Sequence, residues 1–205
     1  MRSTVPLMEA AMRCARSKMG SDPVAAITAD YFIQHIEEEL HHDEWLLEDM
    51  LASGIEHSAV LSRIPPASIA SLVGSQYYWV QHAHPVALFG YLFVLEGNPP
   101  SVQQLRAIQT RHGLPVAAFR TLIEHAETDL DHSEGLKRVL DQMPLQEQHS
   151  VLIALSAFQT IDKLSCVFEE LLERHDDSDA VVIAPGTTQP RIAPLIDESG
   201  TRVQQ

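Results

Sequence analysis

With 205 residues, 45% of them apolar, the chain is long enough to bury one substantial core, so a single globular domain is the default expectation. A formal net charge of −14 opposes association with nucleic acid or an anionic membrane, and a small diffusible substrate is expected instead. Cys14 and Cys166 stand far apart without a CxxC pattern, so neither a disulfide framework nor a zinc knuckle is suggested. The opening MRSTVPLMEAAMRCARSKMG is too broken by charge for a signal peptide, so a reducing cytoplasm is the expected setting.

Helical periodicity dominates and no run alternates like a strand, so the fold class is predicted to be all-α. A first amphipathic helix covers Val5 to Met19, after which Asp22 caps and Pro23 opens a second helix reading to about Ser53, with Gly54 as its terminator. A short element lies around Ala59 to Arg63. Pro65 and Pro66 then break the chain, and a helix from about Ser68 runs toward His84, where Pro85 must kink or restart it. The apolar run PVALFGYLFVL is too short for the ~20 residues of a membrane span and reads as a buried core helix, so no membrane insertion is expected. It ends at Glu96 before GNPP. Ser101 caps a short helix ending near Gly113, and Pro115 opens a long helix that ends before Pro144. The last helix, roughly Leu145 to His175, places Val151, Leu155, Phe158, Ile161, Leu164, Phe168 and Leu171 on one stripe and reads as a packing helix. Residues 1–175 are thus the predicted domain. Residues 176–205, rich in proline, glycine and small polar side chains, are the predicted extended arm.

Three clusters could carry chemistry. In HAETDLDHSEG, a step of ~100° per residue puts His125, Asp129 and His132 on one helical stripe, while Glu127, Asp131 and Glu134 point elsewhere. These three are either convergent ligands or surface polarity. In HIEEELHHDEW, His35, Glu38 and Asp49 lie within ~40° of His42 and Glu39 within ~60°, on a face bordered by Tyr31, Phe32 and Leu46. Charge on a core-directed face needs a partner or a metal. Glu96 closes one of the most apolar segments, either reaching out to water or facing the core, and His82 is a neighbouring candidate. Taken together, three helices bring imidazole or carboxylate toward a helical interior, which is how bundles build iron or manganese carboxylate sites. Nitrogen and oxygen donors without thiolate suit those metals better than structural zinc, and six ligands suit two ions.

Glu39-x2-His42, GYLFVLEG ending in Glu96, and His125-x3-Asp129-x2-His132, in this order, resemble the heme-oxygenase-like di-iron oxidases and oxygenases, a group of iron-containing redox enzymes. The resemblance covers roughly Ala26 to Met143, and the His-x3-Asp-x2-His triplet is its most specific part. It implies a heme-oxygenase-like bundle of about seven helices. It also implies two iron ions, or manganese in their place, held by Glu39, His42, Glu96, His125, Asp129 and His132, with Glu38 and His35 as alternates. The implied activity is O2-dependent oxidation of a small organic molecule such as an amino acid, amine or fatty acid. An external electron donor and a homodimer are compatible with that reading. Phe89, Phe93, Tyr77, Tyr78 and Trp79 either line a pocket or simply pack the core. The alternatives are a metal-free relative of the pyrroloquinoline-quinone synthase or thiaminase-like kind, the latter needing a pocket cysteine, and a non-catalytic helical binding protein.

Overall fold

The computed structural model describes residues 1–97 and 99–178, apart from the side chains of residues 129–131 and 174–178. Among the described residues there is no strand. The helices are α1 (Thr4–Lys18), α2 (Pro23–Glu39), α3 (His42–Ala52), α4 (His57–Leu61), α5 (Ala67–His82), α6 (Leu88–Glu96), α7 (Val102–His112), α8 (Arg120–Gln142) and α9 (Glu147–Ser178), with 3-10 turns at Pro85–Ala87 and Val116–Phe119. Met1–Phe168 forms one compact unit and a second begins at Glu169, within α9. Helix α9 runs three residues into the expected arm. The rest of that arm lies outside the described residues.

Local chemistry explains most boundaries. The Asp22 carboxylate accepts from the N–H groups of Val24 and Ala25 at 2.9 and 3.1 Å, satisfying donors that the first turn of α2 leaves orphaned. Ser101 and Gln104 form a reciprocal capping box on α7, and Gly113 ends that helix at φ +63°, a conformation glycine adopts without a Cβ penalty. The count exceeds about seven chiefly because the expected second helix is two. Leu40 turns extended and His41 takes a left-handed φ of +71°, so α2 stops at Glu39 and α3 starts at His42. A side chain larger than glycine is disfavoured there by ~1–2 kcal/mol. The break falls between two of the expected ligands.

The core gathers Leu7 and Met8 of α1, Phe32 of α2, Val80 of α5, Leu88, Phe89 and Leu92 of α6 and Leu136 of α8. Phe89 is fully buried, and such a side chain contributes ~1.5–3 kcal/mol. Helix α6 therefore lies centrally, as its apolar sequence requires, and carries Glu96 at its end.

The expectation for α9 is corrected in one respect. Its apolar stripe faces outward: Phe158 is 71% and Phe168 60% exposed, and Val151, Leu155, Ile161 and Leu171 are exposed with them. Leu164 alone of the stripe packs against the core. The inward face is small and polar instead. Ser156 donates to Gln76 Oε1 at 2.8 Å, the Gln76 amide donates to Thr160 at 3.3 Å, and all three are fully buried. Such satisfied groups cost little to bury. Small residues win this face because α9 passes so close to α6 that a Cβ on Gly90 would stand 2.1 Å from the Ile153 carbonyl oxygen. Periodicity finds the apolar stripe of a helix, and close approach decided which stripe went inside. By length and composition Glu147–Glu173 also has the character of a membrane span. Up to Phe168 it is seated on α6 at Gly90 and bonded to α5 through Gln76 and through Trp79 Nε1–H to Gln159 at 2.6 Å.

Candidate metal centre

Two groups of one carboxylate and two imidazoles assemble between α2, α3, α6 and α8. The first joins His35 of α2, Glu96 of α6 and His132 of α8; the second joins Glu39 of α2, His42 of α3 and His125 of α8. Within each group the donor atoms lie within 4.8 Å of one another. Helix α8 serves both, because His125 and His132 are seven residues apart, close to two turns, and so project from the same side. The break at Leu40–His41 lets the Glu39 carboxylate approach His42 Nδ1 to 3.3 Å while His35, one turn earlier on α2, reaches the other group.

In the first group His35 Nε2 lies 3.2 Å from Glu96 Oε1, and its Nδ1 lies 3.1 Å from Glu38 Oε2. His132 Nε2 stands 3.6 Å from the same Glu38 oxygen. Burial alone would lower the His35 pKa, but the hydrogen bond and charge of Glu96, reinforced by Glu38 and Glu39, raise it to about 9. Glu96 is 7% exposed, so it faces the core rather than reaching into water. In the second group burial lowers the His42 pKa, and the charges of His125 and His132 add to this against the pull of Glu39. Concentrating imidazoles in a buried place is costly unless something positive takes the place of their protons.

The residues present fit a metal. His125 Nδ1–H donates to the Thr121 carbonyl at 2.7 Å, which fixes the tautomer and leaves Nε2 as a bare lone pair. That Nε2 is buried without a hydrogen-bond partner, as is Glu96 Oε2. A metal-ligating histidine normally shows this arrangement, its second ring nitrogen donating to a carbonyl or carboxylate. Thr121 is itself held, because its N–H donates to Asp49 Oδ2 of α3 at 2.7 Å, with Asp49 only 3% exposed.

A third cluster of Asp22, His84 and His149 has comparable spacing but the opposite tautomers. The N–H of Val86 donates to His84 Nδ1 at 3.1 Å and that of Gln146 to His149 Nδ1 at 3.2 Å, so each neutral ring carries its proton on Nε2. His84 spends that proton on Asp22 at 2.9 Å. These rings tie α2, the Pro85 turn and the start of α9 together. They are poor ligands in this form. A cavity of about 750 Å3 lies beside this cluster, away from the other two groups.

The structure thus brings together five of the six expected ligands, Glu39, His42, Glu96, His125 and His132, and adds the alternate His35 as a sixth convergent donor. The side chain of Asp129 lies outside the described residues. Glu38 sits against His35 and His132 while Glu39 joins His42 and His125, so each carboxylate serves a different group. Asp49 does not join a group, and His82 is exposed at the end of α5. Of the aromatics, Phe89 is core and Tyr78 is 58% exposed. Two of the cavities beside the groups are lined instead by Tyr31 and Trp45. Neither cysteine lines those cavities, and both thiols are free. Sequence reading missed Thr121 and the capping role of Asp49, since a backbone contact 72 residues away leaves no periodic signal.

The fold is the heme-oxygenase-like one. A domain of unknown function with a heme oxygenase-like fold from Shewanella denitrificans OS217 superposes with a TM-score of 0.66 at 16% identity, over 88% of this chain and 83% of that one. The family model described as iron-containing redox enzyme matches residues 9–162, and the chain belongs to that family. No curated protein matches the sequence.

Proposed function

We propose that the protein is a non-heme di-iron oxidoreductase that uses O2 to oxidise a small organic molecule. The observation that carries this reading is the pairing of two buried Glu-His-His groups on helices α2, α3, α6 and α8 in a member of an iron-containing redox family. One ion would be held by His35, Glu96 and His132, the other by Glu39, His42 and His125. Asp129 keeps its place in the ligand set from its register on α8, between His125 and His132. Carboxylate and imidazole donors suit iron and also manganese. When bound, such a metal pair would supply two electrons and the coordination positions for O2 reduction, with the remaining electrons coming from the substrate or an external donor.

The chain's own residues do the rest. Glu38, on Nδ1 of His35, orients that ring as carboxylates orient histidine ligands, and the Thr121 carbonyl does the same for His125. Tyr31 stacks on His35 with ring centroids 5.3 Å apart. Burial, followed by Glu96, Glu38 and Glu39, raises its pKa far above the usual value, so it stays a neutral hydroxyl beside the site. The burial of Glu39, Glu96 and His35 excludes water from the donor atoms. The acidic net charge supports a small diffusible substrate over nucleic acid.

Anaerobic titration with ferrous iron tests the reading. The wild type should take up two ions per chain and consume O2 on mixing with air. His125→Ala with His132→Ala should bind neither ion tightly. Absence of iron uptake by the wild type, or unchanged uptake by the double variant, overturns it.

A further inference from the structure

Gly135 sits inside α8, three residues after His132, where glycine costs a helix more than alanine would. Backbone conformation does not demand it, because the glycines with positive φ are Gly54 and Gly113. Packing does not demand it either, because a Cβ built there meets nothing within 4 Å. What Gly135 does is line a cavity of about 230 Å3 together with Tyr31, Gln34, His35, Glu38, His132 and Val139. Two of those residues belong to the group completed by Glu96. The cavity has room for about eight water-sized groups. Its lining holds one carboxylate, Glu38, which is 55% exposed at the side chain, and neither lysine nor arginine.

We propose that the Gly135 cavity is the subsite for the organic substrate, that the missing side chain at residue 135 provides its space, and that it takes a small amine-bearing molecule rather than a carboxylate. This rests on the di-iron reading for the chemistry and for the charge, since Glu38 is the lone charged side chain of the lining once His35 holds a metal; the cavity itself stands without it. Tyr31 and Gln34 of α2 bring hydrogen-bonding side chains to the lining, and Val139, one turn beyond Gly135 on α8, supplies apolar surface. A second cavity beside the groups, about 390 Å3, adds Glu124, Trp45 and Thr128 and contains no residue of α8 beyond His132, and a third, about 280 Å3, lies against Glu39 and His42 and contains no residue of α8. Filling position 135 therefore separates the first from both.

The matched pair n-propylamine and propionate provides the probes, with protein loaded with manganese(II) and dialysed free of excess. Bound manganese broadens the proton signals of a probe seated beside it. The wild type should broaden propylamine more than propionate at equal concentration. Gly135→Leu should weaken the propylamine effect at least tenfold with unchanged manganese stoichiometry, and Gly135→Ala should weaken it less. Glu124→Gln, which alters only the second cavity, should leave it unchanged. Preference for propionate overturns the substrate class, and propylamine broadening insensitive to Gly135→Leu overturns the subsite. If the wild type binds no manganese, the di-metal reading fails while saturation transfer from metal-free protein to propylamine, lost in Gly135→Leu, still supports the cavity; equal transfer in both proteins overturns it.

Discussion

Asp49 lies on α3, seven residues after His42, and its carboxylate is spent on the Thr121 N–H at the start of α8. The Thr121 carbonyl in turn receives the His125 Nδ1–H. One buried side chain therefore caps the helix that carries two ligands and sets the tautomer partner of one of them. Helix α8 has no side-chain cap at its own N-cap residue, Phe119. Asp49→Ala is expected to cost ~1–2 kcal/mol of stability through the lost cap. It should also weaken metal binding ~10–100-fold at the group of Glu39, His42 and His125. Asp49→Asn retains an acceptor oxygen and should recover most of both. Titration with cobalt(II), read by its visible absorption, resolves the two groups. Equal weakening at both, or no recovery in Asp49→Asn, would show that Asp49 acts only on general stability. The sequence placed Asp49 near the His42 face, but its partner is a backbone group whose proximity only folding creates.

Among the elements, α2, α3 and α9 are where reading and structure diverge. Glu39 and His42 were both expected as ligands, and they do meet; the expected unbroken helix does not, because His41 turns left-handed between them. No glycine or proline marks that turn, and helix propensity over HIEEELHHDEW favours continuation. Strain of this kind persists where surrounding contacts over-determine it, and here it lets Glu39 of α2 and His42 of α3 meet in one group. In α9 the outward turn of the apolar stripe follows from the close approach at Gly90. Gly90→Ala must push a methyl against the Ile153 carbonyl and the Ala157 N–H, at 2.1 and 2.8 Å. Overpacking of this sort costs ~1–3 kcal/mol, and backbone on both sides gives little room to relax. Urea denaturation should show a lower midpoint with an unchanged slope. A midpoint equal to wild type would mean that α6 and α9 stand further apart than described. Conversely, the Asp22 cap, the Ser101 cap and the Gly113 stop were legible, since each is written in residues a few positions apart.

On the scale of the whole molecule, the proposed centre draws on four helices and would couple metal binding to folding, because unfolded chain cannot hold six donors in place. At a free metal concentration ~100-fold above Kd, each ion adds ~2.7 kcal/mol to the folded state. For a chain of this size that corresponds to a Tm rise of roughly 5–10 °C per ion. Calorimetry with manganese(II) under non-oxidising conditions should record it in the wild type and lose it in His125→Ala with His132→Ala. A rise of the same size in both would place the ions elsewhere, with the Asp22, His84 and His149 cluster as the next location to examine. The sequence by itself determined the all-α class, the capping points and the core helix ending in Glu96, and it singled out five of the six imidazoles and carboxylates that meet, because helical periodicity and short-range hydrogen bonds depend on neighbours within a few residues. Only the tertiary structure decided that His35 joins Glu96 and His132, that Glu38 and Glu39 go to different groups, that the stripe of α9 faces out and that Gly135 opens onto a cavity. Those outcomes depend on where separate helices cross and on a single left-handed residue, which periodicity within one helix does not encode.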